Sequence, residues 1–292
     1  MSSVNFAVYF HRLFIQNLIK VKTIKFYYNI LPCTIILTIF LFSFSKTMAS
    51  NIKEKTVNYS ANGVTMKGFI AWDEAVKGKR PVVIVVHEWW GLNDYAKMRA
   101  LKLAELGYMA MAVDMFGNGD TASDPAGARQ LTLQFYNDPL LAKTRLDAAI
   151  STIKEYPLAD AGNIAAIGYC FGGSMVLNYA KLGGDLKGIV SFHGGLGGVP
   201  VNQQLLKARI LICHGGSDKS VSQHDIDTFR QQMDSIHADY IFKTYPNATH
   251  AFTNPASTKV GKEFNLPIEY NADADKASWN EMKTFLIRVF RK

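Results

Sequence analysis

Residues 81–87 read PVVIVVH, an apolar run of strand length with no polar interruption before its terminal histidine. A strand with one wet face alternates apolar and polar residues, so a run without alternation has to bury both faces. Sheets of that kind are parallel, and parallel neighbours need long crossovers, usually helices. The rest of the chain supplies them. Residues 93–107 carry Tyr95, Met98, Leu101 and Leu106 at helical spacing, with Asn93 or Asp94 to cap the start and Gly107 the end. Further strands are expected at 109–114, 163–169, 186–193, 208–214 and 240–245. Further helices are expected at about 139–156, 171–181, 222–237 and 272–290, with a polar loop leading into the first of them. Residues 57–71 read as a hairpin turning at Asn62-Gly63. The expected fold class is α/β, with a mainly parallel sheet, an antiparallel N-terminal edge and helices on both faces. In such open sheets ligands bind beyond the carboxyl ends of the strands.

Composition excludes several other classes. With 48% hydrophobic and 19% charged residues the chain is not of the disordered type. Cys33, Cys170 and Cys213 are too few and too scattered for a disulfide scaffold or a zinc-finger pattern. The formal charge of +8 is concentrated at one end, because residues 1–53 contribute +6 of it and hold no acid. The body is therefore close to neutral, and no nucleic-acid partner is expected. Residues 31–44, LPCTIILTIFLFSF, follow basic residues and precede the small-residue site Thr47-Met48-Ala49. That is the pattern of a secretory signal peptide, or of a signal anchor if the flank from Phe26 is included. The alternative is an upstream read-through with the true start at Met48. The protein is exported or membrane-anchored on the first reading, through residues 26–45 alone, and cytoplasmic on the second. On both, residues 1–50 stand outside the fold and residues 51–292 form one α/β domain.

The chemistry concentrates at Gly168-Tyr169-Cys170-Phe171-Gly172-Gly173, between an expected strand and an expected helix. G-x-C-x-G in that setting has the form of a nucleophile elbow. The turn is sharp, so bulk two residues to either side would collide with backbone. The helix begins at the nucleophile, so its first amides point at developing negative charge and favour thiolate over thiol. A thiolate needs a base, and the base needs an orienting acid. Asp218 follows the strand ending at His214, and His250 follows the last strand, so all three side chains fall on one rim in the order nucleophile, acid, histidine. The backbone N–H groups of Trp89 and Phe171 are the candidate oxyanion donors, and Glu88 is a carboxylate near the same rim. Trp90 is expected to wall the substrate pocket. His87, His193 and His214 end strands on that rim and could bind a metal with Asp114, but no ligand spacing supports this. They are expected instead to line the pocket, His193 in particular, or to hydrogen-bond loop backbone. Cys213 reads as core.

These residues resemble the dienelactone hydrolase family of the α/β-hydrolases. The resemblance rests on 87–93 (HEWWGLN), 168–173 (GYCFGG), 214–218 (HGGSD) and 249–252 (THAF), and spans roughly residues 54–290. It implies an α/β-hydrolase fold, a Cys170–His250–Asp218 triad, a Glu88 that contacts the resting thiol, and hydrolysis of lactones and other esters through a thioester with no metal or cofactor. One departure stands out. Dienelactone-cleaving members carry an arginine four residues after the histidine to grip the substrate carboxylate, and here that residue is Asn254. Asn cannot replace a bidentate charged contact. Arg129 lies where a second arginine could come from, with no motif to fix it. The expected substrate is a small neutral ester or lactone. The competing readings are a non-hydrolytic binding protein with an inert Cys170, and a redox sensor pairing Cys170 with Cys213. The sequence leaves the oligomeric state open.

Overall fold

A computed structural model of the chain describes residues 51–291. The targeting segment expected at 1–50 and the membrane association expected at 26–45 lie outside the described residues. Among those described, no helix is long and apolar enough to cross a membrane.

Strands β1 (Ile52–Ala61) and β2 (Val64–Asp73) form the expected antiparallel hairpin. Asn62 and Gly63 both take positive φ, 51° and 76°, as the tight two-residue turn demands. Then follow β3 (Arg80–Val86), helix α1 (Asp94–Glu105), β4 (Met109–Val113), α2 (Pro125–Asn137), α3 (Pro139–Lys154) and β5 (Ala159–Tyr169). The chain continues through α4 (Phe171–Lys181), β6 (Gly188–Phe192), β7 (Arg209–Gly215) and α5 (Gln223–Ser235). It ends with β8 (Tyr240–Tyr245), α6 (Ser257–Phe264) and α7 (Ala272–Phe290). The sheet order is β1-β2-β4-β3-β5-β6-β7-β8, parallel from β4 onward and antiparallel at β1/β2 and β2/β4.

The apolar run at 82–86 is split by its pleat. Val82, Ile84 and Val86 enter the core beneath α2–α5, while Val83 and Val85 enter the core beneath α1 and α7. The same division takes Met109, Met111 and Val113 of β4 to one side and Ala110 and Ala112 to the other. Period-two alternation between two dry faces is what makes an unbroken apolar run a central strand.

The polar stretch after β4 differs from expectation, since it contains all of α2. Asp124 caps it by accepting from the N–H groups of Ala126 and Gly127, and Pro125 opens it. Its buried stripe is only Ala128, Thr132 and Phe135, so one large apolar residue carries the amphipathic signal and the polar remainder masks it. The short α6 was equally faint, burying only Ser257 and Gly261.

Candidate active site

The carboxyl ends of β3, β5, β7 and β8 bring the predicted residues to one rim. β5 turns into α4 at Cys170, whose backbone lies at φ 52°, ψ −115°, outside the regions a non-glycine residue favours. Two glycines make the turn physically possible. A Cβ on Gly168 would lie 2.1 Å from the Gly172 carbonyl oxygen, and one on Gly172 would lie 2.3 Å from that of Val86. Gly172 N–H donates to the His87 carbonyl at 3.1 Å, pinning the start of α4 to the end of β3.

The thiol of Cys170 is half-buried and faces His250, with Sγ 3.0 Å from Nε2. On the far side of the ring, Nδ1–H donates to Asp218 Oδ2 at 2.8 Å. Burial by itself would raise the Asp218 carboxyl, but the hydrogen bonds from His250 and Ser220 outweigh it and hold the group at about 2. Burial likewise opposes a charge on His250, and the sulfur of Cys170 together with Asp218 overcomes it, lifting the imidazole well above its usual range. Its position between the Cys170 sulfur and the Asp218 carboxylate therefore favours the protonated ring.

Ser220, absent from the sequence reading, completes this arrangement. Its N–H and hydroxyl both donate to Asp218 Oδ1, at 2.8 and 2.6 Å, and its Oγ stands 3.1 Å from His250 Nδ1. A serine two residues after an aspartate is a local turn signal that could have found it.

Trp89 and Phe171 border the cavity that Cys170 also lines, and neither N–H donates a hydrogen bond within the described residues. That leaves both available to an oxyanion. The cavity is ≈ 360 Å³, and Trp89, Trp90, Phe171, Val260, Leu266 and Ile268 give it largely apolar walls. Trp90 thus stands where a pocket wall was expected.

Glu88, His193 and Arg129 stand otherwise than expected. Glu88 borders the cavity at 3% exposure, but its Oε2 accepts from Asn254 Nδ2 at 2.6 Å. No contact joins it to the thiol, because the Asn254 amide holds the carboxylate while His250 takes the sulfur. Burial raises the Glu88 carboxyl to about 7, with the Asn254 bond opposing. Asn254 lines the cavity as expected, though its amide is engaged by Glu88. His193 is buried beneath the elbow and does not border the cavity. Arg129 is exposed on α2, away from the cavity lining, since the buried stripe of that helix turns Ala128 and Phe135 inward instead. The neighbouring Tyr136 reaches the cavity in its place.

Of the remaining rim groups, His87 and Asp114 serve the backbone, while His214 Nδ1 is buried without a hydrogen-bond partner. His87 Nδ1–H donates to the Glu88 carbonyl at 2.5 Å and its Nε2 accepts from Met115 N–H at 3.3 Å. Asp114 accepts from the N–H groups of Lys67, Gly117 and Gly119. Among the described residues no group of three or more His, Cys, Asp or Glu is placed to share an ion. Cys213 is fully buried in the core beside α7.

A parallel sheet with an antiparallel edge, helices on both faces and a nucleophile-elbow turn at the rim define an α/β-hydrolase. The sequence model of the "Dienelactone hydrolase family" matches residues 66–290, and the chain belongs to that family. It is a dienelactone hydrolase-like hydrolase. A Yersinia pestis carboxymethylenebutenolidase homologue is 28% identical over 238 residues, covering 76% of this chain and 83% of its own. An uncharacterized Caenorhabditis elegans protein is 34% identical over 152 residues, 51% of this chain and 94% of that one. Among solved structures, a dienelactone hydrolase-like promiscuous phosphotriesterase from metagenomic libraries superposes with a TM-score of 0.77 at 32% identity. That match covers 82% of this chain and 99% of the other.

Proposed function

We propose that residues 51–292 hydrolyse small neutral carboxylic esters or lactones through a Cys170 thioester. The observation that carries this reading is the His250 ring standing between Cys170 Sγ at 3.0 Å and Asp218 at 2.8 Å. The Cys170 thiolate attacks the carbonyl carbon, and the negative charge moves to an oxygen held by the Trp89 and Phe171 amides. Each such donor is worth about 3–4 kcal/mol in comparable sites. The tetrahedral intermediate collapses, the carbon–oxygen bond to the leaving group breaks, and His250 Nε2 gives its proton to the departing alkoxide. A water then attacks the thioester, passes a proton to His250, and the carbon–sulfur bond breaks to free the acid and restore the thiolate. Asp218, held by Ser220, keeps the imidazole proton on Nδ1 in the neutral form. Catalysis by these groups calls for no metal or cofactor.

A neutral substrate is favoured because Asn254 stands where an anion-gripping arginine would be, and its amide already serves Glu88. The apolar walls favour an uncharged acyl group for the same reason. Cys170→Ala, tested on a small aryl ester, abolishes turnover and leaves the domain folded. Retained turnover removes Cys170 from the mechanism and leaves another nucleophile, whereas a wild-type domain without turnover leaves the binding-protein reading. A panel of paired esters and lactones with and without a carboxylate, together with a neutral phosphotriester, reports the substrate class. Faster turnover of the carboxylate-bearing members overturns the neutral preference.

A further inference from the structure

His193 lies outside the cavity, yet it touches both loops that carry the reacting side chains. Its residue exposure is 1% and its backbone sits at φ 42°, in the left-handed region. A buried non-glycine residue holds that conformation only where its surroundings dictate it. Its Nδ1 accepts a hydrogen bond from the Cys170 N–H at 3.1 Å, which the same N–H shares with the Phe192 carbonyl at 3.0 Å. Its Nε2 lies 2.7 Å from Thr253 Oγ1. Thr253 is fully buried, three residues beyond His250 in the same turn. The Thr253 hydroxyl also meets the Tyr95 hydroxyl at 2.6 Å, and its carbonyl accepts from Arg99 Nη2 at 2.5 Å. The His250 ring rests edge-on against that of His193, with centroids 5.3 Å apart.

The protonation pattern follows from the partners. A backbone N–H only donates, so Nδ1 of His193 is bare and Nε2–H donates to Thr253. Both ring nitrogens are consumed, and the ring has no free site for substrate chemistry. Its burial and the neighbouring His250 both disfavour charging it, which suits a group that must offer a lone pair to Cys170. One end of this chain of bonds holds the strained elbow and the other holds the histidine turn.

We propose that His193 and Thr253 form a buried brace that sets the separation of the Cys170 thiol and the His250 imidazole, making both of them positioning residues. The inference rests on the reading of Cys170 as nucleophile and goes beyond it by naming what holds the pair in register. Besides the Cys170 Sγ–His250 Nε2 contact itself, the brace links the elbow to the histidine turn through a second, buried route. Nδ1 ties it to the backbone of the nucleophile, and Thr253 ties it to the turn from which the base projects.

Thr253→Val keeps the shape of the side chain and removes its hydroxyl, while Thr253→Ser keeps the hydroxyl. His193→Phe keeps a ring against His250 and removes both nitrogens. For each, kcat and KM are measured on a neutral aryl ester, the melting temperature is recorded, and iodoacetamide alkylation of the Cys170 peptide near pH 6 is followed by mass spectrometry. A displaced reacting pair costs turnover more than binding, so Thr253→Val and His193→Phe are expected to lower kcat about 10–100-fold with KM changed less than about two-fold. Alkylation slows in step, and Thr253→Ser restores both. If Thr253→Val melts earlier but keeps wild-type kcat and alkylation, the brace is overturned while the nucleophile stands. If Thr253→Val does not fold, His193→Phe is read against the same expectations. If wild-type Cys170 is alkylated no faster than in the urea-unfolded chain, the nucleophile reading falls and the brace with it.

Discussion

Glu88→Gln offers a measurement whose sign and size follow from one buried carboxyl. Glu88 is 3% exposed, and burial lifts it from the ordinary glutamate value of 4.5 to about 7, against the opposing Asn254 bond at 2.6 Å. Between those two values the folded protein keeps a proton that the unfolded chain has released. Stability from this group is therefore complete below 4.5 and is lost as pH rises toward about 7. At roughly 1.4 kcal/mol for each pH unit the span corresponds to about 3 kcal/mol. Glutamine preserves the shape and an oxygen for Asn254 Nδ2, and has no proton to lose. The unfolding free energy of the variant minus that of the wild type should thus grow by about 3 kcal/mol between about pH 4.5 and 8, with the variant gaining. Urea titrations followed by tryptophan fluorescence at several pH values measure it, and the subtraction removes the titrations that do not sense the Glu88 charge. A difference that stays constant with pH, or moves the other way, would refute the assignment of a buried, protonated carboxyl beside the cavity.

Two further substitutions test the frame. Gly168→Ala would drive a Cβ to 2.1 Å from the Gly172 carbonyl oxygen, a backbone atom that cannot swing aside. It should destabilise the domain by roughly 3 kcal/mol or more, read as a lowered urea midpoint or loss of soluble protein. Arg99→Met leaves Asp275 without its 2.6 Å partner and the Thr253 carbonyl without its donor, deep beneath the histidine turn. A loss of about 3–5 kcal/mol in unfolding free energy is expected, and a loss below about 1 kcal/mol contradicts the pairing.

Much of this was legible in the sequence because the strongest signals were local. The run at 81–87 declared a doubly buried strand, and the glycines around Cys170 declared a turn too tight for side chains. Asp218 and His250 could be placed because each follows a strand whose direction was already fixed. The misses share a different cause. α2 hid because a single phenylalanine carries its buried face, and its polar residues read as loop. The sequence shows that His193 ends a strand, which points to the pocket, but not its left-handed backbone, which aims the ring under the elbow. The Glu88–Asn254 bond joins residues 166 positions apart, a pairing that no local pattern encodes.

The sulfur and the imidazole are separated by 80 positions along the chain. During synthesis the cysteine leaves the ribosome well before the strand and turn that deliver its partner. Until β7 and β8 join the growing sheet, the thiol has no base beside it and no acid behind that base. Under the mechanism proposed above, the reactivity of this thiol would thus be a property of the finished fold, switched on late, sparing the nascent polypeptide an activated nucleophile during its most exposed interval.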